Sequence, residues 1–219
     1  QSLSASTLSL EAGKTKTLFN YFQLPNEDVN RVSLPSDGEI NSYRATLWWD
    51  LSEETKLYLL LAPLEVSYDF TPGSNFEFNE AIFDSGEFTT VNYKFNSYRL
   101  GYFKFHNFSS FSLWYGGVLK IRDALIEVSQ EGKNEKFSNV GLVPLLSIGF
   151  EYRLTDNIMI YTHTDALGSA QGSAYDSQLE IRLFNLGIGK RIVGGGADND
   201  TLLNFAQFDT NYINYKIQF

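Results

Sequence analysis

In the stretch THTDA, residues 162–166, His163 and Asp165 stand two places apart. On an extended strand they point the same way. A carboxylate beside an imidazole raises its basicity and can orient it as a general base. Ser169 and Ser173 follow in the next connection and are the hydroxyls best located to be its nucleophile. His106 is followed by Ser109 and Ser110, but HNFSS reads as a turn, where serine and asparagine serve the backbone. Nothing in these spacings demands a catalytic triad. The plainer reading of His163 is an imidazole hydrogen-bonded to Asp165 inside a polar network. In GGGADND, residues 194–200, Asp198, Asn199 and Asp200 offer the hard oxygens that calcium prefers. Three glycines and Asx residues also describe an ordinary turn, and no metal or other cofactor is expected.

These residues must be carried by strands. In SYRATLWWDL, residues 42–51, Tyr43, Ala45, Leu47, Trp49 and Leu51 fall on one face and Arg44 on the other. In LSIGFEYRL, residues 146–154, Leu146, Ile148, Phe150 and Tyr152 oppose Ser147, Gly149, Glu151 and Arg153. Period two with one polar face is the strand signal. The connections alternate in length. SEET (52–55), HNFSS (106–110), LTDN (154–157) and a turn near Asn185 are short. Those over 25–40, 69–92, 129–138, 168–176 and 194–200 read as long.

An even number of antiparallel strands, short turns on one side and long loops on the other is the plan of a transmembrane barrel. The expected fold is all-β: an antiparallel up-and-down β-barrel of about ten strands, with eight as the alternative. Residues 1–219 form one domain, with short periplasmic turns and longer extracellular loops. A soluble lipocalin-like barrel would show the same alternation with the faces exchanged. The choice rests on 18 Phe, 13 Tyr and 3 Trp, on the loop asymmetry and on a chain that ends in a bare aromatic residue. In NYINYKIQF, Ile213, Tyr215, Ile217 and Phe219 share one face, so the last strand is expected to close the barrel against the first.

Composition excludes several alternatives. Cys is absent, which removes disulfides, thiolate catalysts and zinc–thiolate sites. A net charge of −9 with no basic patch argues against nucleic acid. The longest apolar run, LYLLLAPL (57–64), contains Pro63 and falls far short of the ~20 residues a membrane helix needs. With Gln1 first and no charged start or apolar core, the chain is expected to be a mature one whose signal was removed.

If the apolar faces meet lipid, the opposite faces meet the lumen. This assigns Glu11, Arg44, Arg99, Lys120, Arg122, Glu151, His163, Asp165, Glu180, Arg182 and Lys216 to an inward charge network. About ten strands leave little room once long side chains fill the bore. A salt-bridged plug is expected, with a narrow small-solute channel or binding barrel as the alternative. KIRDA places Lys120 and Arg122 on one face, read here as the outer end of a strand, where two cations would attract anions. The connection over 69–92 carries Phe70, Phe76, Phe78, Ile82, Phe83 and Phe88. So many apolar residues must pack on something: the loop extends the strands, covers the mouth or docks a partner.

The segments FNSYRLGY (95–102), KIRDA (120–124), NVGLVPLL (139–146), DALGSAQGSAYD (165–176) and GGGADND (194–200) resemble a family of uncharacterised Gram-negative outer-membrane β-barrels. The chain departs from that family in a shorter turn near Asn185. The resemblance implies fold and location and carries no activity. Tyr215, Ile217 and Phe219 resemble the C-terminal signal read by the barrel assembly machinery. The His163–Asp165 pair resembles half of the site of omptins, ten-stranded outer-membrane proteases, but their second acidic pair is missing. Lipid A acyl hydrolases and transferases, another class of barrel enzyme, need a Ser–His constellation. The expected role is therefore non-enzymatic: a structural or interaction barrel, or an accessory subunit of an outer-membrane assembly. Its expected partners are outer-membrane lipid and lipopolysaccharide, the assembly machinery and an outer-membrane protein.

Overall fold

The computed structural model describes residues 6–23, 31–36, 38–169, 172–198 and 202–219. Gln1, Asn199 and Asp200 lie outside these residues. Ten staves close into an antiparallel barrel. They are β1 (Thr7–Gln23), β3 (Glu39–Asp50), β4 (Thr55–Ala62) continued by β5 (Glu65–Phe70), β8 (Thr89–Asn107), β9 (Phe111–Gln130), β10 (Lys133–Arg153), β11 (Ile158–Ser169), β12 (Gly172–Leu183), β13 (Leu186–Asp198) and β14 (Leu203–Gln218). A short β2 (Val32–Ser33) pairs with the outer end of β1. A separate hairpin of β6 (Phe76–Phe78) and β7 (Ala81–Phe83) lies between β5 and β8.

The terminal strand closes the wall. β14 pairs with β13 on one side and runs along β1 on the other, from Thr7↔Gln218 to Gln23↔Leu203. The seam ends with the Phe219 amide donating to the Ser6 carbonyl at 3.1 Å. Its outward face is Ile213, Tyr215, Ile217 and Phe219, all exposed. The same holds around the wall: Leu146, Leu142 and Ile188 are 72%, 67% and 65% exposed. In water so continuous an apolar surface would aggregate; around a closed barrel it is a lipid belt. Trp49, Phe108, Phe111, Tyr152, Phe184 and Phe219 gather at the short-turn end, where ring edges suit a membrane interface.

The outer connections differ from the sequence expectation. Residues 129–138 are not a loop: β9 and β10 run on to a two-residue turn at Glu131–Gly132, and Gly132 has φ +71°. β11 and β12 likewise extend to Ser169↔Gly172, and β13 extends to Asp198. These segments are rich in Gly, Ser and Asn, which read as turn formers, yet pairing with a neighbouring strand holds them extended. The β9–β10 hairpin therefore stands well above the belt, because about ten residues suffice to cross it. On this projecting part Lys94 pairs with Asp123 at 2.7 Å and Lys136 with Glu127 at 2.9 Å. Lys136 and the Asn134 amide hold the Glu127 carboxyl below the usual carboxylate range.

Contrary to the simple inside–outside assignment, much of the lumen is apolar. The outer third is filled by Val91, Tyr93, Phe95, Ile126, Val128 and Phe208, all buried. Onto them the β6–β7 hairpin drops Phe76, Phe78 and Phe83, so the 69–92 segment both lengthens the strands and covers the mouth. Toward the short-turn end Trp48, Tyr58, Phe103, Trp114 and Tyr161 form a second aromatic layer.

Gly149 makes room for that lower layer. A Cβ there would lie 2.5 Å from the Trp114 ring and 2.6 Å from the Thr162 carbonyl oxygen. Gly149→Ala is expected to displace Trp114 and cost about 1–3 kcal/mol of stability. Urea unfolding in lipid vesicles, followed by tryptophan emission, checks this. An unchanged midpoint and emission maximum would show that Trp114 is not held against residue 149.

Candidate functional site

Between the two apolar layers lies a layer of charge. Arg44 of β3 reaches across the bore to Asp176 of β12 at 3.1 Å. Its other amino group donates to the Tyr58 hydroxyl at 3.1 Å. Arg99 of β8 contacts the same Asp176 at 2.7 Å and Asp165 of β11 at 2.5 Å. Its Nε donates to Ser97 Oγ at 3.0 Å. Asp165 also accepts from Ser147 Oγ at 2.5 Å and lies 3.0 Å from His163 Nε2. All are almost fully buried. Two arginines thus face two aspartates, and the wall is tied together between strands on opposite sides of the bore.

A second set lies nearer the short-turn end. Arg182 contacts Glu180 through Nε and Glu151 through Nη1, the latter at 2.7 Å. Lys216 lies 3.7 Å from Glu151. Asn214 donates to both Glu180 oxygens at 3.2 Å. The Arg182 guanidinium stacks 3.6 Å above the Tyr161 ring. Glu11 is paired with Arg191. Here again cations and carboxylates match one for one.

Lys120 and Arg122 are different. They point inward from the middle of β9, not from its outer end. Lys120 lies over the Phe95 ring at 4.5 Å, and Arg122 donates to Asn139 Oδ1 at 2.8 Å. Arg122 Nε is buried without a partner, and among the described residues neither cation contacts a carboxylate.

His163 is where a catalyst would have to be. The Trp114 indole, which can only donate, points Nε1 at His163 Nδ1 at 3.0 Å. The ring proton therefore sits on Nε2 and faces Asp165. Ser147 Oγ, 3.3 Å from Nε2, gives its own proton to the Asp165 carboxylate. Both ring nitrogens are occupied, and neither is free to take a proton from a hydroxyl. His163 is 2% exposed and ringed by Trp48, Tyr58, Phe103 and Trp114, so substrate has no approach.

The other sequence candidates lie elsewhere. Ser173 pairs with Gly168 and Gly196 near the outer end, whereas His163 pairs with Gln178 further down the wall. Ser169 pairs with Gly172 through its backbone. Asp198 pairs with Leu203, and no metal-binding group of three His, Cys, Asp or Glu occurs among the described residues. His106 stacks on Tyr115 beside a short turn.

Sequence reasoning overlooked Asp176, Arg191 and Ser147. Asp176 shares parity with Glu180 and Arg182 and becomes visible once β12 is extended into the supposed loop. Arg191 sits among glycines that erase the alternation. Ser147 lay on the polar face of its strand without a charge to mark it.

The Arg99 bridge is open to measurement. Arg99→Met leaves Asp165 and Asp176 with one cation between them and is expected to lower stability by about 3–5 kcal/mol. Adding Asp165→Asn restores charge balance and should recover part of that loss. Urea unfolding of both variants decides it. A double variant no more stable than the single one would mean that the pair is not coupled.

No protein-family model matches the chain, and no curated protein matches it. Among solved structures it is similar to the outer membrane protease OmpT of Escherichia coli, at 8% identity and TM-score 0.55, covering 99% of this chain and 98% of that one. It is also similar to Ail, the attachment invasion locus protein of Yersinia pestis, at 11% identity and TM-score 0.48, covering 98% and 100%. Neisserial surface protein A aligns at 11% identity and TM-score 0.41, covering 97% of each chain. At such identities the likeness concerns the fold alone. The fold is that of an integral bacterial outer-membrane β-barrel.

Proposed function

We propose that this chain is a closed, non-enzymatic barrel of the bacterial outer membrane that serves as a structural or interaction subunit of a larger envelope assembly. The observation carrying this reading is the filled bore. An apolar plug, a balanced ion layer and an aromatic layer succeed one another. The occupied nitrogens of His163 support it against an omptin-like protease or a lipid A hydrolase. In this reading lipid and lipopolysaccharide contact the apolar belt. The barrel assembly machinery reads Tyr215, Ile217 and Phe219 on the last strand. A protein partner meets the tall outer end, where Ile82 and Phe88 remain exposed on the mouth-covering segment.

Planar-bilayer recording tests the closure. The intact protein is expected to show no unitary conductance. Arg99→Ala is expected to stay closed as well, because aromatic side chains fill the bore above and below it. Stepwise conductance from the intact protein would sink the closed-barrel reading and favour a narrow channel. Gentle purification from the native membrane with mass spectrometry tests the assembly role. A stoichiometric protein partner is expected; recovery of the barrel alone would count against a subunit.

A further inference from the structure

The barrel wall is not zipped along its whole height. The β10–β11 ladder runs from Arg153↔Met159 to Leu146↔Ala166 and stops. Beyond it Leu145 to Lys133 pair only with β9, while β11 continues to Ser169 paired only with β12. Pro144 stands on this free edge. Proline lacks the N–H a flanking strand would use, so it fits a strand that has one neighbour. Leu142, on the lipid face of β10, is 67% exposed just above the stop.

A cavity of about 370 Å³ opens at this gap. Lys120, Arg122 and Phe95 bound it from inside the bore, and Leu142 and Pro144 bound it from the lipid face. Residues of both faces line it at a height where β10 and β11 are not paired, which places it in the gap between the two strands. Leu167 of β11 lies across from them, and Gly172 and Gly196 leave that side low. The floor holds the two luminal cations that lack a carboxylate among the described residues, one with a buried, unpartnered Nε. Every other buried lumen charge described above is matched.

We propose that this opening is a lateral binding site for a membrane amphiphile with one anionic headgroup. The headgroup enters between β10 and β11 and meets Lys120 and Arg122. The acyl chain stays against Leu142 and Pro144, at the outer edge of the belt, and Leu167 lines the passage from the bore side. The cavity has the size of a small-ligand pocket with few polar groups. The charges at its floor suit a carboxylate or a phosphate monoester, because both accept charge-assisted hydrogen bonds from ammonium and guanidinium. The mouth is covered by the β6–β7 hairpin, so the side is the open route. The site stands independently of whether the barrel serves an assembly.

The probe is cis-parinaric acid, whose emission rises in apolar surroundings, titrated into the intact protein in neutral detergent, with its methyl ester as the uncharged control. The acid is expected to bind about tenfold or more tightly than the ester, the size of one lost charged hydrogen bond. Dodecyl phosphate should displace it, and inorganic phosphate should not. Arg122→Gln should weaken the acid and leave the ester unchanged. Gly141→Leu should block both: a Cβ at Gly141 meets only Asn139 Oδ1 at 3.4 Å and Arg122 Nη2 at 3.8 Å, so the larger side chain grows into the cavity. Heat-modifiable mobility on gels confirms that each variant is folded. Equal binding of acid and ester would overturn the proposal. So would displacement by inorganic phosphate, which would mark a free-anion site, or unaltered binding in folded Gly141→Leu.

Discussion

In hydrocarbon no water can satisfy a backbone amide, and that constraint governs the rest of this molecule. Each strand must find neighbours on both sides, which is why the chain is spent on long antiparallel staves. It is also why the last strand lies on the first, from Thr7↔Gln218 upward. Closure then sets the chemistry of each face. What points out meets lipid, and what points in meets a bore too narrow for bulk water. Tyr43, Leu146 and Ile188 suit the first environment, whereas Arg44, Arg99 and Asp176 can persist in the second only as partners.

The cost of a buried charge explains how the interior is arranged. An ion removed from water loses several kcal/mol of solvation, which only close, hydrogen-bonded partners offset. The lumen accordingly places its charges in matched groups: Arg44 and Arg99 with Asp165 and Asp176, Arg182 and Lys216 with Glu151 and Glu180, Arg191 with Glu11. Aromatic residues fill the space above and below, so the layer stays dry and its attractions strong. His163 belongs to this economy of space. The indole on one side and the carboxylate on the other fix the ring as a brace, and the same contacts deny it the free lone pair that catalysis requires.

Much of this was legible from alternation. Period two with a terminal aromatic strand predicts a closed transmembrane barrel, and ten staves are found. The same parity assigns Arg99 and Asp165 to one side of the wall. It cannot tell that they meet, because β8 and β11 are joined only across the bore, by curvature that no local pattern encodes. Nor does alternation distinguish the two kinds of inward residue. Tyr93 and Phe95 look lipid-facing by type, yet they point inward at the covered outer end, where neither lipid nor water is present. Boundaries failed for a related reason. Gly168, Ser169, Gly172 and Ser173 favour a turn in isolation, but pairing with neighbouring strands outweighs that local preference.

Among the described residues the wall is unzipped at its outer end in two places, between β3 and β5 above Ala45↔Leu61 and between β10 and β11, and the unmatched cations lie at the second. The ladder fails above Leu146↔Ala166, and the unmatched cations Lys120 and Arg122 border the cavity at that gap. The free edge also carries a proline in a sequence otherwise rich in strand formers, which keeps β11 from extending the ladder at that point. A gap alone would admit lipid chains, and unmatched cations alone would draw in an anion from water. Placed together at the outer edge of an apolar belt, they select a molecule that is both.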